Sequence, residues 1–147
     1  MTALPTPFGP VSLREAAGVI VALDWQARDD DPTALEAEGL RQLAEYFAGT
    51  RQMFELPLDW GSGLNAQVRR AMAAIPFGET RTYGDIARDI GAPAQAVGQA
   101  CGANPIPLII PCHRVLGART LGGFSAPGGV ETKVALLRHE GAAGLLI

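Results

Sequence analysis

Asn104-Pro105-Ile106-Pro107-Leu108-Ile109-Ile110-Pro111-Cys112-His113-Arg114-Val115 places a cysteine at the end of an apolar run punctuated by prolines. Pro105, Pro107 and Pro111 exclude helix and restrict the residues before them, so Leu108, Ile109 and Ile110 are expected to form a short extended segment that delivers Cys112 to a fixed point. A cysteine attacks as the thiolate, and a free thiol has a pKa of ~8.5, so the fold must supply a group that favours the anion. His113 and Arg114 are nearest. Side chains adjacent on an extended segment diverge, so His113 reaches the sulfur only if the chain turns there or a water bridges the gap. A third group would then orient the imidazole, and His139-Glu140 is the other cluster in the C-terminal half that offers a carboxylate. Two readings stand on these residues alone. Cys112, His113 and Glu140 form a nucleophile, a base and its orienter, or Cys112 is a small buried hydrophobe.

The whole stretch, continued through Leu116-Gly117, resembles the acceptor-site signature of the O6-alkylguanine-DNA alkyltransferases, the methylated-DNA–protein-cysteine methyltransferases. The resemblance runs from about Leu64 to Gly141. It includes Ile75-Pro-Phe-Gly-Glu-Thr-Arg-Thr-Tyr-Gly-Asp-Ile-Ala87, then Ala96-Val-Gly-Gln-Ala-Cys-Gly-Ala-Asn-Pro105, and Gly128-Gly-Val-Glu-Thr-Lys-Val-Ala-Leu-Leu-Arg-His-Glu-Gly141. The first sixty or so residues match only loosely.

The length of 147 residues suits one compact unit or a small N-terminal domain with a larger C-terminal one. No apolar run approaches the ~20 residues of a membrane span, and the first ten residues lack the charged start and apolar core of a signal peptide. The expected location is the cytoplasm. Cys101 and Cys112 are too few for a disulfide framework or a structural zinc site, and no metal is implied. The net charge of −3 argues against nucleic acid at first sight. Its distribution does not: residues 1–65 carry four Arg and ten Asp or Glu, a net of −6, whereas residues 66–120 carry six Arg and three acids, a net of +3. The positive charge sits in the segment of the cysteine, on arginines, which suit phosphate recognition.

In chain order, Val11 to Leu13 and Val19 to Trp25 read as a hairpin turning at Ala16-Ala17-Gly18. Asp29-Asp30-Asp31-Pro32 reads as a solvated turn and helix start, since it lacks the glycine-spaced pattern of a cation loop. Thr33 to Ala48 is an amphipathic helix ended by Gly49. Met53 to Trp60 alternates and is expected to return to the sheet. Trp60-Gly61-Ser62-Gly63 is the linker, which sets a small α/β domain at residues 1–61 and a mainly α domain at residues 62–147. A helix from Leu64 to Ile75 stops at Pro76. Thr82 caps a helix through Ile90, Gly91-Ala92-Pro93 turns the chain, and Ala94 to Cys101 is a second helix, together the outline of a helix-turn-helix. Gly117 to Gly129 is loop, and Glu131 to His139 closes the chain as a helix.

The resemblance implies a ribonuclease-H-like N-terminal domain without an active site and a winged-helix-like C-terminal domain. It implies repair of double-stranded DNA by transfer of an alkyl group from O6-alkylguanine to Cys112, once per molecule, by a monomer without a cofactor; O4-alkylthymine is a second candidate substrate. His113 would take the thiol proton through a water, Glu140 would orient His113, Asn104 would hold the turn before the cysteine segment, and Tyr83 would rotate a phosphate or protonate the leaving base. Val115, Phe124 and Ser125 fall at the alkylguanine pocket, and Thr82, Tyr83, Gln95, Ala96 and Arg114 at the DNA. Gln95 stands where an arginine is usual, Gly102 replaces a second basic residue, Arg69 replaces a tryptophan and suggests a different local surface, and Ala126-Pro127 lengthen the pocket loop. The rival reading is a helix-turn-helix regulator that senses alkylation or oxidation through Cys112; a third, a Cys-His-Glu hydrolase, would turn over.

Overall fold

The computed structural model describes residues 2–142 and divides between Asp59 and Trp60 into two compact units. The first is a three-stranded antiparallel sheet with one helix. Strands β1 (Leu4–Thr6), β2 (Gly9–Ala16) and β3 (Val19–Asp24) lie in that order, with Leu4 opposite Val11 and Leu13 opposite Leu23. Ala17 and Gly18, at φ 51° and 83°, give the β2–β3 hairpin the two left-handed residues that a tight turn of matching twist requires. β1 was not expected from the sequence, because Pro5 argues against a central strand; it is tolerated here in a three-residue edge strand.

Helix α1 (Ala34–Phe47) starts in a capping box in which Thr33 Oγ1 accepts the Glu36 N–H at 3.1 Å and Glu36 Oε1 accepts the Thr33 N–H at 3.0 Å. It buries Leu43 and Tyr46 and brings Gly39 so close to β2 that a Cβ there would lie 2.4 Å from Leu13 Cδ1. The expected return of Met53 to Trp60 as a strand is not found. The segment makes one isolated bridge, with the Ile20 N–H donating to the Pro57 carbonyl and the Asp59 N–H to the Ile20 carbonyl, both at 2.9 Å. Pro57 has no N–H to extend the ladder.

The second unit holds helices α2 (Gly63–Ala73), α3 (Tyr83–Ile90), α4 (Ala94–Gly102) and α5 (Val130–His139), with a two-residue parallel pair of β4 (Arg81–Thr82) and β5 (Val115–Leu116). α3 begins in a second capping box, Thr82 with Asp85, and ends on Gly91 at φ 70°. Val68, Met72, Ile86, Val97, Ile110, Leu136 and Leu137 form its core. Among the described residues no helix is long and apolar enough to cross a membrane.

Residues 106–110 correct the expectation of an extended segment. They coil into consecutive turns, with the Ile109 N–H on the Pro107 carbonyl and the Ile110 N–H on the Ile106 carbonyl, both at 2.9 Å, and Leu108 at φ 72°. A strand presents alternate side chains to opposite faces, whereas all four of Ile106, Leu108, Ile109 and Ile110 are buried here. Coiling reconciles four buried neighbours at the expense of a strained leucine backbone.

Candidate active site

Asn104 spans the coiled segment. Its Nδ2 donates to the Ile110 carbonyl at 2.9 Å and its Oδ1 accepts the Ile106 N–H at 3.1 Å, so one amide satisfies backbone at both ends of a buried turn. Pro111 then leads into a single 3-10 turn, Cys112–Arg114, closed by the Arg114 N–H on the Pro111 carbonyl at 3.0 Å. The chain therefore does turn at the cysteine.

Behind the turn lies a buried ionic cluster. Glu140 accepts from His113 Nε2 at 2.7 Å, from Arg114 Nε at 2.8 Å and from Arg114 Nη2 at 3.1 Å, and Arg114 Nη1 donates to the Ile75 carbonyl at 2.7 Å. Burial works against ionising Glu140, but its bonds to His113 and Arg114 outweigh that and hold its pKa at about 2. Burial pushes His113 below its ordinary value against the pull of Glu140, so the imidazole is neutral. An ionised carboxylate only accepts, which places the imidazole proton on Nε2 and leaves Nδ1 as an acceptor. Nδ1 is buried and has no hydrogen-bond partner.

In front of the turn is a cavity of about 210 Å³ whose lining includes Tyr83, Asn104, Cys112, Phe124 and Ser125. Burial raises the Cys112 thiol pKa, while a hydrogen bond with Asn104 and the charge of Lys133 draw it back. Tyr83 is also raised, by burial and then by its nearness to Cys101 and Cys112, so its phenol keeps its proton.

Three expectations need correction. Arg114 is 5% exposed and every nitrogen it uses is committed to Glu140 or Ile75, with its guanidinium 5.8 Å above the Phe77 ring, so it does not face DNA. Val115 is fully buried and contributes no side chain to the cavity; as the first residue of β5 it pairs with Arg81. Arg69 is 8% exposed and packs against Gly61, so it alters an interior contact rather than a surface. Thr82 is occupied as the α3 cap, Gln95 is exposed near the start of α4, and Ala96 beside it is half-buried.

Two residues at the site were not read as part of it from the sequence. Cys101 lines the same cavity as Cys112, and its thiol is pushed up to about 12 by burial and then by the Cys112 anion. Lys133, fully buried on α5, donates from Nζ to the Val115 carbonyl at 2.7 Å and the Gly123 carbonyl at 3.2 Å. Burial lowers its pKa to about 8, against the pull of the Cys112 and Cys101 anions. The available signal was composition: Lys133 is the chain's one lysine beside eleven arginines.

The geometry has counterparts. The model of the 6-O-methylguanine DNA methyltransferase DNA-binding domain matches residues 63–142. The methylated-DNA–protein-cysteine methyltransferase of Mycobacterium tuberculosis is 40% identical over 149 residues, covering 93% of this chain and 89% of the relative. The constitutive enzyme of Bacillus subtilis is 38% identical over 154 residues, covering 95% and 93%. The crystal structure of Mycobacterium tuberculosis OGT in complex with DNA superposes with a TM-score of 0.83 at 41% identity, covering 95% of this chain and 91% of that one. Matched from the linker through the Cys112 turn to the helix that ends at Glu140, and over most of both chains in two whole relatives, the chain belongs to the methylated-DNA–protein-cysteine methyltransferase family.

Proposed function

We propose that this protein repairs double-stranded DNA by moving the alkyl group of O6-alkylguanine onto its own Cys112. The observation that carries the reading is the Glu140–His113 pair, which ends on a buried, unpartnered Nδ1 one residue from a thiol that lines a cavity. In the resting state Cys112 is a thiol. Its proton passes through a water to His113 Nδ1, the imidazolium that forms is stabilised by Glu140, and Sγ attacks the alkyl carbon in line with O6. The bond between the alkyl carbon and O6 breaks with its electron pair left on the base, and the restored guanine, still joined to its deoxyribose, takes a proton, for which the Tyr83 phenol is the donor. Lys133 adds a buried positive charge beside the developing thiolate.

Duplex stacking hides O6, so the nucleotide must swing into the cavity, and a damaged, poorly paired base costs less to extrude than a normal one. We assign the DNA contact to α3, the Gly91-Ala92-Pro93 turn and α4, with α4 as the recognition helix of a winged-helix-like domain from residue 62 onward; residues 1–61 are read as a ribonuclease-H-like domain without chemistry. The thioether does not hydrolyse under mild conditions, so each molecule acts once. The alkyl group comes from the DNA, and no cofactor enters. A thiol that must stay reduced belongs in the cytoplasm. The regulator reading is not favoured, since an alkyl acceptor with its own base needs no operator.

Cys112→Ala and Cys101→Ser separate the two thiols of the cavity. Loss of the methyl group from an O6-methylguanine duplex is expected to vanish in Cys112→Ala and persist in Cys101→Ser; the reverse pattern would sink the assignment.

A further inference from the structure

The cavity wall that carries Phe124 and Ser125 is fixed at both ends by two adjacent residues of α5. At its start the Gly123 carbonyl accepts from Lys133 Nζ at 3.2 Å, and Gly122, at φ 72°, lies so near Tyr83 that a Cβ there would sit 2.7 Å from the phenol oxygen. At its end the Pro127 carbonyl accepts from Thr132 Oγ1, the Gly129 N–H donates to the Ala126 carbonyl at 2.9 Å, and a Cβ on Gly128, at φ 85°, would lie 2.5 Å from Thr132 Oγ1. Only Phe124, Ser125 and Ala126 lie between the anchors. Two of these line the cavity, and Phe124 also meets the His113 ring edge-on at 6.4 Å between centroids.

Thr132 is 4% exposed, and its hydroxyl donates to the Pro127 carbonyl from the first turn of α5. Lys133 grips the near end and stands among the charged groups of the site, but Thr132 touches neither Cys112 nor His113. Without its hydroxyl the wall keeps the Lys133 anchor and the Gly129–Ala126 bond, but the Pro127 carbonyl loses its tie to α5 and the Phe124–Ser125 segment between gains freedom to shift outward. A small substituent is packed only by a wall held close, whereas a bulky one gains room when the wall swings.

We propose that Thr132 is a specificity-determining positioning residue: its hydroxyl, bonded to the Pro127 carbonyl, holds the Phe124–Ser125 wall against the cavity and so sets how large an O6 substituent can be presented to Cys112. This rests on the alkyltransferase reading above.

Single-turnover transfer from duplexes carrying O6-methylguanine or O6-benzylguanine tests it in wild type, Thr132→Val and Thr132→Ser. Valine keeps the shape and removes the donor; serine keeps the donor. The benzyl-to-methyl rate ratio is expected to rise about fivefold in Thr132→Val, the population change that a typical net hydrogen bond supports, and to stay near wild type in Thr132→Ser. An unmoved ratio in Thr132→Val, or an equal rise in Thr132→Ser, overturns the proposal. Should Thr132→Val fail to fold, Pro127→Gly, which leaves both bonding groups but frees the chain around them, must move the ratio the same way or the proposal falls. Transfer by wild type with an unmoved ratio defeats this proposal alone, whereas no alkyl on wild-type Cys112 defeats the alkyltransferase reading with it.

Discussion

Each unit of the protein buries one carboxylate in contact with an arginine, Glu36 at the start of α1 and Glu140 at the end of α5, at 3% and 4% exposure. Glu36 accepts the Thr33 N–H at 3.0 Å and the Glu15 N–H at 2.8 Å, and Arg28 Nη1 lies 3.1 Å away. Every partner is a backbone amide or a guanidinium, and none of these exchanges a proton at neutral pH. Glu140 has Arg114 in the equivalent place, but it also bonds an imidazole whose second nitrogen is buried with no hydrogen-bond partner. A closed network holds a helix to its neighbours. One that ends on a basic atom beside a thiol can also move a proton.

The largest effect that would break this contrast is on the rate. His113→Ala and Glu140→Gln are each expected to slow methyl transfer at pH 7 by about 10²-fold or more, the contribution typical of a positioned base, and to recover partly as alkaline pH ionises the thiol directly. Glu36→Gln should leave the rate near wild type. Rapid-quench transfer assays on the three variants check this; equal losses in Glu36→Gln and Glu140→Gln would erase the distinction.

Stability should treat the two carboxylates alike where rate does not. Removing either charge leaves buried donors short of a partner, at a cost on the order of 2 kcal/mol in urea unfolding. The acid dependence sharpens the comparison. The Glu140 carboxyl titrates lower folded than unfolded, so its contribution is complete above its ordinary range near 4.5 and is lost as pH falls towards about 2. His113, held neutral by burial, acts in the same direction, since the unfolded chain gains its proton first as pH falls through about 6.5. Glu140→Gln should therefore flatten the acid limb of stability against pH, and a limb as steep as wild type would mean that Glu140 does not carry it.

The smallest expected effect separates a buried arginine from an exposed glutamine. Gln95→Arg should add about one to the slope of log affinity against log salt, because an exposed position on α4 would gain a phosphate-reaching cation. Arg114→Lys should leave the slope unchanged while lowering stability, because its charge is spent on Glu140. Duplex binding across a salt series reads both. A slope that drops in Arg114→Lys would restore Arg114 to the DNA surface.

That last pair marks where the sequence was legible. The contact of His113 with Glu140 was expected once the whole stretch around Cys112 was seen to resemble an acceptor-site signature, whereas the residues alone left Cys112 open between a nucleophile and a buried hydrophobe; the capping box at Thr82 was readable because it is local. Arg114 was misplaced because charge in a sequence does not report burial, and Glu140, which neutralises it, lies 26 residues away. Lys133 was missed for the same reason: on a helix a lysine reads as a solvated side chain, and only the tertiary approach of the Val115 and Gly123 carbonyls shows otherwise. The turn at residues 106–110 followed from a demand that all its apolar side chains be buried at once, which prolines alone do not reveal.

The most direct test of the account is stoichiometry. Wild-type protein mixed with excess duplex containing O6-methylguanine should convert O6-methylguanine to guanine within the duplex to a plateau of one per molecule, and mass analysis of its peptides should find one added methyl on Cys112 and none on Cys101. Continued conversion beyond that plateau, or a methyl on any residue other than Cys112, would contradict it.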